Sequence, residues 1–307
     1  METKEQNLIK EIKQLKEKRN AVILVHNYQR PEIYEIADFI GDSLELSRKA
    51  AETDKDIIVF CGVRFMAETA KILNPGKTVI LAAEDAGCPM AEMINAKQLK
   101  ELKKKHPKAA VVCYVNTNAE TKAECDICCT SANVVDIVNS LKEGEAIMAP
   151  DKNLAAYTQT KTKKSLIPWN GYCPIHQEIK EKSAVLAKKQ NPGAIFIAHP
   201  ECPQEVLRHA DYIFSTGKML DFAKENTNKT IILATETDMI NRLEKENPKN
   251  KYLSIGGLCP DMKKTTLEKV KEALEKNQYE IKVPEDTRKK AESSLRKMIA
   301  IGGKHGK

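Results

Sequence analysis

Three Cys-Pro pairs carry the first chemical signal in this chain: Cys88-Pro89, Cys173-Pro174 and Cys259-Pro260, spaced by 85 and 86 residues. Nine cysteines and 13 prolines in 307 residues would give about 0.4 such pairs by chance. The chain has four, and only Cys202-Pro203 is out of phase. Thiolates are soft metal ligands, and three delivered from distant points make a site with three protein ligands. Such a set suits zinc with one open position. It also suits a [4Fe–4S] cluster, which normally takes four cysteines; with three, one iron stays free to act as a Lewis acid. Proline after each cysteine stiffens the loop. Gly87, Gly171 and Gly256-Gly257 allow the close backbone approach that a bulky group needs.

Groups able to move protons stand at the same phase. Three triplets, His26-Asn27-Tyr28, Tyr114-Val115-Asn116 and His199-Pro200-Glu201, each end an apolar run. Glu201 suits a general base, with His199 or Tyr28 relaying protons and Tyr114 beside them. His176, three residues after Cys173, is placed to touch the metal group or its ligand. Hydroxyls recur as well: Ser43, Ser131 and Thr216 each follow an Asp by five residues (Asp38, Asp126, Asp211). Each is expected to open a helix. A hydroxyl there is often only an N-cap, but helix N-termini also attract anions, and together the three favour binding of carboxylates or phosphate. Cys125, Cys128 and Cys129 compete as a metal motif, but C-x-x-C without a matching second pair, in an apolar strand, reads as core. Cys61 and Cys113 read as core too, and Cys202 is left open.

Behind these residues lies one pattern written three times. Strands are expected at 21–25, 110–113 and 194–198, then at 57–60, 145–148 and 230–234, then at 78–82, 165–167 and 252–255, with a short strand after each Asp. Helices separate them, and each last strand leads into a Cys-Pro loop. Alternating strands and helices imply parallel sheets covered on both faces. The expected fold is therefore α/β: three small α-β-α sandwich domains with parallel four-stranded sheets around a pseudo-threefold axis. The boundaries are 1–19 for an N-terminal helix with Leu8, Ile9, Ile12 and Leu15 on one face, 20–105, 106–190 and 191–277 for the three domains, and 278–307 for a C-terminal strand, helix and tail packing back on the body. Ligands of such sheets sit at the carboxyl ends of strands, where the triplets, hydroxyls and cysteines all fall.

Composition narrows the class. The chain is 41% hydrophobic and 30% charged, ordinary for a globular protein. No run of eighteen apolar residues suggests a membrane span, and no apolar leader segment stands near the start, so a cytoplasmic location is expected. An odd cysteine count in that setting argues against a disulfide framework. The net charge of +7 is spread over lysines on helix faces; with few aromatics among them, nucleic acid is not expected as a partner.

The segments VHNYQ (25–29), GDS at Ser43, AGCPM (86–90), CYVNT (113–117), CCTSANVV (128–135), GYCPIH (171–176), HPEC (199–202), STG (215–217) and LCPDMKKTTLEKV (258–270) give the chain a resemblance to the quinolinate synthase family across nearly its whole length. That resemblance implies a [4Fe–4S] cluster held by Cys88, Cys173 and Cys259. It implies condensation of iminoaspartate with dihydroxyacetone phosphate to quinolinate, for NAD biosynthesis, with loss of phosphate and two waters. By the same resemblance the substrates meet His26, Ser43, Tyr114, Val115, Asn116, Ser131, His199, Pro200, Glu201 and Thr216, while Tyr28 and Glu201 take part in proton transfer. An iminoaspartate-producing enzyme is the implied partner. The rival readings are another [4Fe–4S] hydro-lyase and a non-catalytic iron–sulfur or zinc protein.

Overall fold

Buried, β-branched strands set the architecture. In the computed structural model, which describes residues 3–302, the first repeat contains β1 (Ala21–His26), β2 (Phe39–Gly41), β3 (Ile57–Cys61) and β4 (Thr78–Leu81). The second contains β5 (Ala110–Tyr114), β6 (Ile127–Cys129), β7 (Glu145–Ala149) and β8 (Ser165–Pro168). The third contains β9 (Ile195–Ala198), β10 (Tyr212–Ile213), β11 (Thr230–Ala234) and β12 (Lys251–Ser254). Each set forms one four-stranded sheet with the spatial order second, first, third, fourth, and every pairing is parallel. The protein is thus α/β, with three similar α-β-α layers. The central strands carry Ile23, Val25, Ile58, Val59, Val111, Ile147 and Ile232 out of solvent, as two-sided burial of a parallel sheet requires. Strand ends differ from the sequence expectation by a residue or so, the ordinary latitude of element boundaries.

The recurrent Asp has a structural job that fixes the phase of everything after it. Asp38 Oδ2 accepts the Ile23 N–H at 2.8 Å, Asp126 Oδ2 that of Val111 at 2.7 Å, and Asp211 Oδ2 that of Phe196 at 2.8 Å. The same Asp N–H groups donate back to the Ile23, Val111 and Phe196 carbonyls at 3.0, 3.0 and 2.8 Å. Each carboxylate therefore clips the start of the second strand to the middle of the first. The hydroxyl five residues later must then arrive at the carboxyl edge of the sheet.

The expectation that each hydroxyl opens a helix needs correction. Helices Ser43–Glu52 and Thr216–Glu225 do begin on the hydroxyl residue, but their caps are Asp42 and Ser215. In the second repeat the helix is Val134–Ser140, three residues past Ser131. Asn133 causes the delay: its Oδ1 accepts the Thr130 N–H at 2.8 Å and forms a turn, while its Nδ2 donates at 3.0 Å to Met298 and Ile301 carbonyls. In all three repeats another residue takes the turn or capping bond, so the hydroxyl is not consumed as a cap.

A second correction concerns Cys113 and Cys125. Cys113 is buried in β5 as expected, but it forms a disulfide with Cys125, Cα to Cα 6.0 Å. The Asp126 clip brings residue 125 alongside β5, which no count of cysteines reveals. Cys61, Cys128, Cys129 and Cys202 are free and buried.

The ends of the described chain lie on the body. Helix Lys4–Lys18 packs on helix Leu267–Lys276 through Ile12, which is fully buried. The C-terminal strand is reduced to a single antiparallel bridge, Ile80 to Glu280, on the free edge of β4. Helix Glu285–Ala300 then packs on β6 and on helices Arg64–Leu73 and Ser43–Glu52. Arg48 reaches the Ile299 and Gly302 carbonyls at 2.9 and 2.6 Å, so this helix ties the first repeat to the second. The tail beyond residue 302 lies outside the described residues. Among the described residues no helix is long and apolar enough to cross a membrane.

Candidate active site

The carboxyl ends of the three sheets meet around one cavity of about 160 Å³. His26, Tyr28 and Ser43 line it from the first repeat, Tyr114, Asn116 and Ser131 from the second, and His199, Glu201 and Thr216 from the third. Cys88, Cys173 and Cys259 line the same cavity. Val115 and Pro200 do not; both are buried behind it. Cys61, Cys113, Cys125, Cys128, Cys129 and Cys202 are likewise absent from its wall.

A continuous hydrogen-bonded chain joins residues of this wall through Thr235 behind it. Tyr28 Oη lies 2.6 Å from Thr235 Oγ1, which lies 3.0 Å from His176 Nε2. His176 Nδ1 is 2.7 Å from Glu201 Oε2 and 3.2 Å from Cys173 Sγ. Tyr114 Oη donates to Glu201 Oε1. Two tyrosines from different repeats are therefore joined through Thr235, His176 and Glu201. His176 was visible in the sequence beside Cys173; Thr235 was not, because nothing about a lone Thr after a strand marks it.

Electrostatics sorts these groups into fixed roles. Burial alone would disfavour ionised Glu201, but His176 beside it and the hydrogen bonds from His176 and Tyr114 outweigh it and hold its pKa below the usual carboxylate range. Burial lowers His26 and His199 to about 3, so both rings are neutral near pH 7. Their Nδ1 atoms accept the Tyr28 and Glu201 N–H groups at 3.2 and 3.4 Å. In His199 this leaves the proton on Nε2, 3.2 Å from Ser131 Oγ. Burial, reinforced by Glu201, raises Tyr28 and Tyr114 well above an ordinary phenol, so both are proton donors. Asn116 Oδ1 is buried without a hydrogen-bond partner, and Asn116 lines the cavity.

The cysteine loops are built alike. The N–H groups of Arg64, Lys152 and Thr237, each three residues past its third strand, donate to Ala86, Gly171 and Gly257, each two residues before its cysteine, at 2.9, 2.8 and 3.0 Å. Glycine is required where these loops press on the strand end. A Cβ at Gly256 would sit 1.5 Å from the Thr235 carbonyl oxygen, and one at Gly171 2.6 Å from that of Pro150. Burial raises the Cys88 thiol to about 12 and also raises Cys173 and Cys259. Three free, half-buried thiols facing one space form a donor set that fits a soft, positively charged group, whose charge would reverse those shifts. Cys173 Sγ, His176 Nδ1 and a Glu201 oxygen also lie within 4.8 Å of one another, a mixed set of metal-ligating atoms.

Over residues 10–300 the sequence matches the family described as Quinolinate synthetase A protein. The chain belongs to this family. It is 51% identical over 300 residues to a quinolinate synthase of Alkaliphilus metalliredigens, covering 97% of this chain and 99% of that one. It is 50% identical to quinolinate synthase 1 of Methanosarcina acetivorans, covering 96% and 98%. A quinolinate synthase of Thermodesulfovibrio yellowstonii is 50% identical, covering 95% and 98%. The family's name gives this chain an enzyme's place, and the cavity is the candidate site for its chemistry. Its wall is largely apolar, with proton-bearing groups at Tyr28, Tyr114, His176, His199 and Glu201.

Proposed function

We propose that this chain makes quinolinate from iminoaspartate and dihydroxyacetone phosphate, on a [4Fe–4S] cluster held by Cys88, Cys173 and Cys259. The observation that carries the reading is the convergence of three free thiols with the Tyr28–Thr235–His176–Glu201–Tyr114 chain on one buried cavity. The balance closes without an oxidant: the two substrates give quinolinate, one phosphate and two waters. When bound, the cluster supplies one iron without a protein ligand, a Lewis acid for loss of a hydroxyl.

The chain's own residues do the rest. His26, Ser43, Asn116, Ser131 and Thr216 present N–H, hydroxyl and amide groups to two carboxylates and a phosphate, with the N-termini of helices Ser43–Glu52 and Thr216–Glu225 behind two of them. Glu201, ionised, takes the proton from carbon as the ring closes. Tyr114, hydrogen-bonded to it, and Tyr28, reached through His176 and Thr235, return protons to departing oxygens. Val115 and Pro200 act from behind, by fixing the strand ends. A buried cavity also protects an imine that water would hydrolyse. Iminoaspartate is short-lived for that reason, so an enzyme producing it is the partner; the free thiols suit a reducing cytoplasm, while the Cys113–Cys125 disulfide does not.

Protein purified without oxygen should contain about four irons and four sulfides per chain. Supplied with both substrates, it should release quinolinate and phosphate in equal amounts. A cluster-loaded protein that releases no quinolinate overturns the proposal.

A further inference from the structure

The cysteine loops differ in one respect that repeats itself. Because Arg64, Lys152 and Thr237 make the same bond, the residues before them, Val63, Asp151 and Glu236, are structural equivalents. In the second repeat Asp151 Oδ2 accepts the backbone N–H of Cys173 at 3.2 Å, while Oδ1 accepts those of Asn153 and Leu154 at 2.7 and 2.9 Å. In the third, Glu236 Oε1 accepts the backbone N–H of Cys259 at 3.0 Å, and Oε2 accepts that of Asp238 at 2.9 Å. Both carboxylates are nearly solvent-free, 2% and 1% exposed. The geometry calls for a carboxylate: N–H groups arrive on both oxygens at once, one from the cysteine and one from the chain just past the third strand, and an amide has only one acceptor. Lys263 extends the third arrangement. Its ammonium contacts Glu236 Oε1 at 3.1 Å and Asp238 Oδ2 at 2.7 Å, and also donates to the Tyr28 carbonyl. The Cys259 loop is thereby tied to the tyrosine of the first repeat.

We propose that Asp151 and Glu236 are positioning residues that hold two of the three cluster thiols by capturing the cysteines' own backbone N–H groups. This rests on the metal-centre reading above. A captured N–H keeps the loop in its ligating shape, and it is also withheld from sulfur. Hydrogen bonds to cluster or thiolate sulfur shift the reduction potential of such centres, so freeing the N–H has a signature that a loss of packing alone lacks. Cys88 has no such partner, since its equivalent position is Val63.

The test is anaerobic reconstitution of Asp151→Ala, Glu236→Ala, Asp151→Asn, Glu236→Gln and Val63→Ala beside the wild type, with iron and sulfide content and the midpoint potential measured for each. The alanine variants are expected to bind cluster roughly tenfold more weakly, the range for loss of a group that orients a metal ligand. What cluster they hold should be reduced at a more positive potential. The amide variants, which keep one acceptor and the side-chain shape, should fall between alanine and wild type and guard against a variant that simply fails to fold. Val63→Ala should leave both readouts where the wild type has them. Full content and unchanged potential in both alanine variants overturns the proposal, as does a Val63→Ala shift as large as theirs. A wild-type protein that takes up no cluster overturns the metal-centre reading and this proposal with it.

Discussion

The Cys88 loop and the Cys259 loop occupy the same place in their repeats, follow the same fourth strand and receive the same backbone bond from the residue three past the third strand. Around that common frame their surroundings diverge. The Cys259 loop is pressed onto Thr235, hydrogen-bonded by Glu236 and anchored through Lys263 to Tyr28. The Cys88 loop rests beside Val63, and an added Cβ at Gly87 would meet only ordinary contacts, Glu92 Oε1 at 3.8 Å and Asp261 Oδ1 at 3.9 Å. A threefold fold has thus been given unequal corners. The sheets repeat because strand burial admits few solutions; the residues just past β3, β7 and β11 differ, with Val63 and Glu236 lining the shared cavity and Asp151 set behind it.

The largest effect should be the same at all three corners. Replacing Cys88, Cys173 or Cys259 by Ser removes a soft ligand that serine does not replace. Each variant should lose the cluster and its visible absorption, whereas Cys125→Ser and Cys128→Ser should keep it. A full cluster in Cys88→Ser would mean that the less supported corner is not a ligand at all, and the comparison would collapse to two loops.

Next in size is Glu201, which the hydrogen-bonded chain joins to tyrosines of the other two repeats. Glu201→Gln preserves shape and removes the base, so iron and sulfide should stay at wild-type levels while turnover falls by about 10²–10⁴. Cluster loss in Glu201→Gln would instead make Glu201 a metal ligand with Cys173 and His176, an arrangement their ligand atoms, within 4.8 Å of one another, also allow.

The glycines separate the two loops directly. Gly256→Ala forces a Cβ onto the Thr235 carbonyl at 1.5 Å, backbone against backbone, and should cost about 3 kcal/mol in urea unfolding of the apoprotein. Gly87→Ala meets only ordinary contacts and should change the same measurement by less than about 0.5 kcal/mol. Equal costs would show that the chain is as confined at Gly87, one residue before its cysteine, as at Gly256, three residues before its own.

How much of this was readable in the letters follows from what repeats. Strand order, the Asp38, Asp126 and Asp211 spacing and the Cys-Pro loops recur as identical or similar residue types, so the three sheets and the cavity wall were legible. Thr235, Asp151 and Glu236 were not: the positions that hold them carry Gly62 and Val63 in the first repeat and Pro150 in the second, so a search for recurring types passes over them. The Cys113–Cys125 bond was hidden for another reason, since it depends on how the Asp126 clip folds the chain back on β5. The late helix start after Ser131 depends on Asn133 bonding to carbonyls more than 160 residues away.

The smallest effect is one of pH, and it distinguishes repeats with histidine at the first strand's end from the repeat with tyrosine. The folded-state pKa values of His26 and His199, about 3, lie below the unfolded value near 6.5. Between those values the unfolded chain binds protons that the folded chain refuses, so stability falls as the pH drops below about 6.5. At pH 5 each ring should cost about 2 kcal/mol relative to pH 7. Asp151 works in the opposite sense, because burial and then Glu201 raise it above the usual carboxylate range; its proton is held more tightly in the folded state, and acid offsets part of the loss. The clean measurement is therefore a difference: urea unfolding of the apoprotein at pH 7 and pH 5, wild type against His26→Asn. The variant should lose about 2 kcal/mol less on acidification. Tyr114→Phe, at the equivalent place in the second repeat, should lose as much as the wild type, because a phenol pushed above its normal range does not titrate in this window. A His26→Asn protein with the wild-type acid response would mean that the His26 ring takes its proton without unfolding the site, and the first repeat would then be as open at its strand end as it is at its cysteine loop.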